Sequence, residues 1–519
     1  MFSRRIPRLV RYGLYGSVVI GGSVAGLKLT PDGDFDSMAI VRITRTAYCA
    51  MHIGRVYQTM LYSKDWDRTS EEYIETRSRA HQIGASKLLE LCKANKGVYI
   101  KVGQHVGALD YLLPNEYVTT MRILHKDAPK NTVEELYEVI REDLNVDPNE
   151  LFSDFEREPL GTASLAQVHR AKLKDGTNVA VKVQHSFVRK NIYLDLKWME
   201  FIITTMSKIF PEFQMQWLID ETKKNMALEL DFLQEGRNAE KAAFLFGHFE
   251  WLKIPKIFWD YSTDRVLVME YVEGGMVNDR KFIADHNIDC FNVCQKIGDL
   301  YSHMIFTTGF VHSDPHPGNL LLKKDPGDKD VTLYLLDHGL YSQLTDDFQY
   351  NYSKLWLSII DRNRKDMKYY SEQLGVSEEL YGLFSCVVTG RTWDAITSGI
   401  STTKKTADEK ISFQKELPNI LPLISQLLEQ VDRQALLVLK SNDLIRSLEY
   451  ALGTNQKMCG YITMSHCCIQ KVYSLEYKNE PSFFRKQYLN LQFGWRILLL
   501  YVYSFYLNYA IRGTTTLFE

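Results

Sequence analysis

No Cys-x-x-Cys pair occurs anywhere in the sequence, and the eight cysteines are scattered. Cys290 and Cys294 are spaced as helix neighbours rather than zinc ligands. A disulfide framework belongs to much shorter chains than 519 residues, so these thiols read as reduced. A basic surplus is also missing: the formal charge is −2 and the pI about 6.7, which gives no electrostatic footprint for nucleic acid. There is no internal repeat and no long low-complexity linker, which excludes solenoids and tethered arrays. Long apolar runs are few: the sixteen residues from Tyr12 to Leu27 approach the roughly 17-residue lower limit for a bilayer span. What remains is a globular composition, 45% apolar and 12% aromatic, long enough for a large core and for up to three domains.

Two segments stand apart. Residues 1–31, "MFSRRIPRLVRYGLYGSVVIGGSVAGLKLTP", hold four arginines and no acid ahead of an apolar run punctuated by Gly and Ser. Such a stretch resembles a mitochondrial presequence. A secretory signal also starts basic and turns apolar; the spread of the arginines over what would be one helix face favours the mitochondrial reading. Retained in the inner membrane, the segment would leave the rest of the chain facing the intermembrane space. Near the other end, "ILLLYVYSFYLNYAI" (residues 497–511) lies between Arg496 and Arg512. Its length is short for a span, and its four tyrosines suit either an interface or a buried helix.

Between these ends the patterning divides the chain. Residues 70–150 read as helix, with Leu88, Leu89 and Cys92 on one stripe and a break at Pro114. "QVHRAKL" and "NVAVKVQ" flank the turn "KDGT" and read as an antiparallel hairpin. A long helical pattern follows from about 190 to 247, then a buried strand in "RVLVMEYVEGG" (265–275), helix over 289–308 and the strand "VTLYLLDHG" (331–339). Nearly everything from 345 to 475 looks helical. Few strands followed by many helices predict an α+β chain, a small mixed lobe and a larger helical one. The divisions are 1–31 for mitochondrial targeting or a possible transmembrane segment, 70–150 for a helical extension, 151–275 and 276–475 for the two lobes, and 476–519 for a tail with an apolar helix.

"VHSDPHPGN" carries the most chemistry. Asp314 and Asn319 are five apart, the spacing of a catalytic aspartate and a metal-binding asparagine in a protein-kinase catalytic loop. Asp337, with His338 and Gly339, follows at the end of an apolar strand, where a carboxylate can hold Mg²⁺ against nucleotide phosphates. Upstream, Lys182 ends "VAVK" on a strand, where an ammonium would meet the α- and β-phosphates. Each piece arises by chance; the four in this order, on strand, loop, loop and strand end, are specific. A carboxylate must hold the lysine, and "ALELDFLQEGRNAE" offers Glu229, Asp231 and Glu235. On a regular helix Asp231 and Glu235 would share a face and Glu229 would lie about 200° from Asp231, so spacing does not choose among them. The stretch Gly161, Thr162, Ala163, Ser164 stands where a phosphate loop belongs but has one glycine. Alanine gives up glycine's conformational freedom while keeping its N–H, and Ser164 adds a hydroxyl, so the loop predicts nucleotide held in a less adaptable pose.

"KVGQ" (Lys101 to Gln104), the alanine-bearing "GTAS", "VAVK", the Glu-x-Asp of "ELD", "HSDPHPGN" and a D-x-G triplet, in that order, resemble the UbiB/ABC1/aarF-domain family of atypical kinases. The resemblance covers roughly residues 85–345 and is nearest to a mitochondrial branch of that family. It implies a protein-kinase-like two-lobe fold with an N-terminal helical KxGQ extension lying over the cleft where a protein kinase receives peptide. It implies ATP or ADP with Mg²⁺ as cofactor, phosphates on the Gly161–Ser164 loop and Lys182, and Glu235 as the partner of Lys182. Asp314 would be the catalytic-loop aspartate, and Asn319 and Asp337 the metal ligands. Glu229 and Asp231 would face the active site together with Lys101 and Gln104. His338 departs from the pattern by replacing the usual Phe, which puts the packing of the active state in question; a packed neutral histidine is the expected role.

Three functions follow. The first is a mitochondrial membrane-associated atypical kinase or ATPase that acts on, or handles, a lipid or small molecule, in the quinone or membrane-lipid setting the resemblance implies. The second is a nucleotide-binding pseudokinase scaffold whose conformation partners read. The third, a protein kinase, is weakest, because a peptide groove would need the KxGQ segment to move away. The sequence names no substrate and no protein partner.

Overall fold

The structure, a computed structural model, describes residues 39–67, 70–108, 113–125, 130–209, 216–391, 393–398, 423–424, 426–427, 430–454 and 459–515. Residues 1–31, for which the sequence predicts targeting or a membrane span, lie outside these residues. The chain divides into two compact units: residues 1–234 with 257–271, and residues 235–256 with 272–519.

The first unit opens with helices α1 (Ala39–Met60), α2 (Glu71–Asn95), α3 (Val98–Ala108), α4 (Asn115–Met121) and α5 (Val133–Leu144). Their ends are written in the sequence. Ser70 caps α2 by accepting the Tyr73 amide, with Glu71 and Glu72 in the first turn complementing the positive helix end. Thr132 and Glu135 form a capping box on α5, which stops at Asn145 in the left-handed region. After the single turn α6 (Pro148–Leu151) come strands β1 (Phe152–Phe155), β2 (Gly161–Thr162), β3 (Ala166–Leu173) and β4 (Asn178–Gln184), and later β6 (Val266–Glu270). They form an antiparallel sheet in the order β1-β3-β4-β6, with β2 on β3. The expected hairpin is β3–β4: Gly176 takes φ +93° in its turn, and Asp175 accepts the Thr177 amide. Val179, Val181 and Val183 enter one core with Val266, Val268, Leu136 and Ile140, while a second core joins Leu91, Ile100 and Met121 to α7 (Ser186–Ile209).

The helical pattern expected over 190–247 resolves into α7, α8 (Gln216–Glu229) and α9 (Phe232–Phe246). The break after Glu229 has a local cause. Asp231 accepts the Gln234 amide, the geometry of a helix N-cap, so the chain restarts there and is not regular from 229 to 235.

The second unit holds a four-stranded sheet, β5 (Leu252–Lys253), β10 (Thr332–Leu335), β9 (Leu320–Lys323) and β7 (Gly275–Met276), in that order. A separate pair joins β8 (Phe310–His312) to β11 (Tyr341–Gln343). Helices α10 (Arg280–Asp285), α11 (Cys290–Ser302), α12 (Asp346–Ile360), α13 (Arg364–Gln373), α14 (Tyr381–Thr389), α15 (Trp393–Ser398), α16 (Arg433–Ala451), α17 (Cys459–Asn479) and α18 (Phe483–Thr515) complete it. One core, with Tyr301, Phe306, Tyr352 and Phe384 at its centre, supports both sheets. The π-turn His303–Thr308 ends at Gly309, whose φ of +67° turns the chain into β8. No described helix is long and apolar enough to cross a membrane.

Candidate functional site

In the first unit β4 places Lys182. Val181 and Val183 point into the core, so strand alternation sends Lys182 to the other face, where its Nζ lies 5.1 Å from the centroid of the buried Phe232 ring. The loop ahead of β3 is bound into the sheet: Gly161 pairs with Val168, and the Ala163 N–H donates to Ala166 O at 2.8 Å. Ser164 is buried. Gly161 is not in the left-handed region, and a Cβ there would meet nothing within 4 Å, so this position does not require glycine. His185 fastens the loop from behind. Its amide donates to Leu165 O at 2.9 Å, and its Nε2 lies 3.1 Å from Ala163 O. Burial depresses the His185 pKa to about 4, so the ring is neutral near pH 7 and Nε2–H is the donor.

The KxGQ stretch is on α3. Its glycine is required by packing, because a Cβ on Gly103 would stand 2.3 Å from Leu124 Cδ1 and 3.2 Å from Cys92 Sγ. Lys101 Nζ meets Glu229 Oε2 at 2.7 Å, with both side chains nearly buried. Gln104 donates to Leu124 O at 3.0 Å. Lys101 and Glu229 are therefore brought together, Gln104 ties α3 to the segment after α4, and Asp231 caps α9.

In the second unit Asp314 follows β8 and Asp337 follows β10. His312 joins the two segments. It is fully buried, its Nε2 donates to Asp337 O at 2.8 Å, and its Nδ1 accepts the Asp314 amide at 3.2 Å. These partners require the Nε2–H tautomer. Asn319 closes the loop by donating to Asp314 O at 3.2 Å, while its own carbonyl accepts the Leu336 amide at 3.0 Å. Asp337 Oδ1 accepts the Gly339 amide at 2.9 Å. A Cβ on Gly339 would stand 3.3 Å from Asp337 Oδ1 and 3.7 Å from Glu235 Oε2, so both carboxylates border the small space that this glycine leaves. Asp314, Asn319, Asp337 and Glu235 thus belong to one neighbourhood. His338 is buried and packed: Nε2 is 3.1 Å from Leu335 O, Nδ1 is 3.0 Å from Tyr341 OH, and the two rings are parallel. Asn238 donates to His338 O at 2.9 Å. Burial, aided by the nearby Asp337 carboxylate, holds the Tyr341 phenol well above its ordinary pKa, so it stays protonated as the donor to His338.

Sequence reasoning passed over His312 and His185. Both signals were present: His312 opens the H-x-D triplet, and His185 directly follows the strand that carries Lys182.

Residues 123–371 match the family model of the ABC1 atypical kinase-like domain. Over 506 residues the chain is 51% identical to the AarF domain-containing kinase 1 of Drosophila melanogaster, covering 97% of each sequence. The chain belongs to the ABC1/AarF family of atypical kinases. This ABC1 chain is also 47% identical to the AarF domain-containing protein kinase 1 of Mus musculus, over 87% of the chain and 86% of the relative. Among solved structures, the complex of Rv3197 with erythromycin from Mycobacterium tuberculosis is similar over 73% of the chain and 94% of its own, with 19% identity and a TM-score of 0.47. Family membership makes the α+β arrangement a kinase-like fold.

The side chains that follow β8 and β10 in the ABC1 chain include donors that suit Mg²⁺. No group of three or more His, Cys, Asp or Glu side chains among the described residues is arranged to hold a metal by itself. Asn319 and Asp337 offer an amide oxygen and a carboxylate, which is hard oxygen chemistry without nitrogen or sulfur. Such a pair suits an ion that keeps waters and takes phosphate oxygens for its remaining positions.

Proposed function

We propose that the protein is a mitochondrial, membrane-associated atypical kinase or ATPase. It binds ATP or ADP with Mg²⁺ and acts on, or handles, a lipid or small molecule rather than phosphorylating proteins. The observation that carries this reading is the joining of the Asp314 and Asp337 segments through one buried histidine, with Asn319 and Glu235 beside them. In this reading Asn319 and Asp337 hold Mg²⁺, which when bound neutralises phosphate charge. Lys182 brings an ammonium to the α- and β-phosphates, and the Asp314 carboxylate accepts the proton of the attacking hydroxyl or water. The resemblance implies that the KxGQ helix lies over the peptide cleft, and the Lys101–Glu229 ion pair, costly to break, ties that helix to α8, which supports the exclusion of protein substrates. Inner-membrane localisation facing the intermembrane space rests on the sequence of residues 1–31.

One observation favours the second reading, a nucleotide-binding pseudokinase scaffold for inner-membrane organisation. The Ala163 amide is used inside its own turn and Ser164 is buried, which leaves fewer loop donors for phosphate.

Thermal unfolding of the full chain tests both readings. Mg²⁺-dependent stabilisation by ATP or ADP is expected, about 2.7 kcal/mol at a hundredfold excess over Kd. It should be lost in Lys182→Ala and Asp337→Asn. Slow phosphate release that disappears in Asp314→Asn supports the enzyme. Binding without turnover, with lipid vesicles present, supports the scaffold, and absence of binding ends both.

A further inference from the structure

Over residues 483–505, whose side chains the structure describes, helix α18 is packed on one side. Phe493, Ile497 and Leu500 rest on the core of the second unit, Tyr473 of α17 stacks on Phe493 at 4.4 Å, and Arg496 reaches Asp361 at 2.7 Å. The opposite side carries Tyr488, Leu491, Trp495, Leu498, Val502 and Phe505, all exposed, at alternating spacings of three and four residues. Phe484 extends this stripe toward the helix start at 84% exposure. A 3-4 repeat keeps these side chains on one line along the helix, and from Phe484 to Phe505 that line is about 30 Å long. Leu499 and Tyr501, also exposed, widen it toward its C-terminal end.

Three features of the helix select the occupant. Between Glu480 and Glu519 there is no acidic residue, while Arg485, Lys486, Arg496 and Arg512 are basic. Trp495, Tyr488 and Tyr501 have apolar bodies with a polar edge, the side chains favoured at the boundary of hydrocarbon and headgroup. The positions flanking the stripe hold Arg485, Gln487, Gln492, Gly494, Leu499 and Tyr501, with no opposed charges to set the register of a second helix. Because the other face is held by α17 and the core, α18 can meet lipid along its length but not on all sides.

We propose that the exposed stripe of α18 lies in the surface of an anionic lipid bilayer, parallel to the membrane plane, and holds the second unit there. Apolar insertion supplies most of the binding. The charge contribution is modest, because Arg496 is paired with Asp361 and Arg485 lies 3.5 Å from Glu480. The inference shares the membrane partner of the proposed function and is independent of its nucleotide chemistry.

The test uses the full chain with phosphatidylcholine vesicles, with and without phosphatidylglycerol. Co-sedimentation should be stronger with the anionic lipid and weaken with added salt. The double variant Leu491→Glu, Leu498→Glu changes exposed residues only, so its melting temperature and its response to Mg²⁺–ADP should equal the parent's. Its vesicle binding should fall about tenfold or more. Hydrogen exchange locates the contact, and peptides within residues 483–505 should gain protection when anionic vesicles are added. Three results overturn the inference: vesicle binding through another segment with no protection in 483–505, unchanged binding of the double variant, or sedimentation showing that the variant merely dissolves a dimer of the parent. Loss of nucleotide response in the parent would count against the proposed function and leave this inference standing.

Discussion

Replacing His312 by Ala should cost more than any exposed substitution and should act on both acidic segments together. The ring is fully buried and makes two hydrogen bonds, one to Asp337 O and one from the Asp314 amide. Each of the two backbone groups left without its partner costs about 1–3 kcal/mol, so together about 2–6 kcal/mol, and the void adds to that. Two further variants separate the bonds. In His312→Gln the side-chain N–H₂ can reach the Nε2 position and keep the bond to Asp337 O. In His312→Asn the carbonyl can stand for Nδ1 and keep the Asp314 amide. Urea unfolding gives the stability, and the melting shift with Mg²⁺–ADP reports metal and nucleotide affinity. If Asn319 and Asp337 hold the metal, a group that orients them typically changes affinity by about 10–100-fold. At a hundredfold excess over the parent's Kd, His312→Ala should then lower the stabilisation from about 2.7 to about 0.4–1.4 kcal/mol, and His312→Gln should restore more of it than His312→Asn. A His312→Ala variant less than about 1 kcal/mol below the parent, with its nucleotide response intact, would refute the argument.

Three other outcomes are expected. For His185 the folded pKa is depressed to about 4 from the usual 6.5, so its contribution to stability is present above pH 6.5 and lost as the pH falls toward 4. Between pH 7.5 and pH 5 this amounts to about 2 kcal/mol; denaturation of His185→Gln, which keeps a donor for Ala163 O, should show a flatter pH dependence, and an unchanged slope sinks the assignment. A double-mutant cycle of Lys101→Met with Glu229→Gln should give single losses of about 2–4 kcal/mol and a coupling of at least about 1 kcal/mol, whereas additivity would mean the ion pair does not hold α3. Gly309→Ala should destabilise by about 1–3 kcal/mol, since the residue sits at φ +67° and a Cβ would come within 2.8 Å of Gln343 Nε2; a neutral result in a thermal melt contradicts the packing around β8.

Much of the fold was legible because its signals were local. The β3–β4 hairpin announced itself through the turn at Gly176 ahead of the valine-rich stretch 178–184, and Asp314, Asn319 and Asp337 through their spacing around a strand. What escaped depended on partners distant in sequence. Strand β1, four residues long, shows no alternation of its own and forms only by pairing with β3. Helix α1 lies in a stretch to which no motif drew attention. The break at Asp231 was readable in principle, since Asp231 and Gln234 have the spacing of a capping box, but the continuous apolar pattern on either side concealed it. The roles of His312 and His185 depend on backbone groups from other strands and loops, which no spacing along the chain reveals.

The first unit takes the last strand of its sheet from beyond a detour. Strand β6 is made after residues 235–256, which belong to the other unit, have already been synthesised. On the ribosome, β4 must therefore wait with the backbone groups of one edge unpaired until residue 270 has emerged. A shortened product ending at Gln234 would keep that edge permanently unpaired and would tend to aggregate, so an excised version of this unit has to carry 257–271 with it.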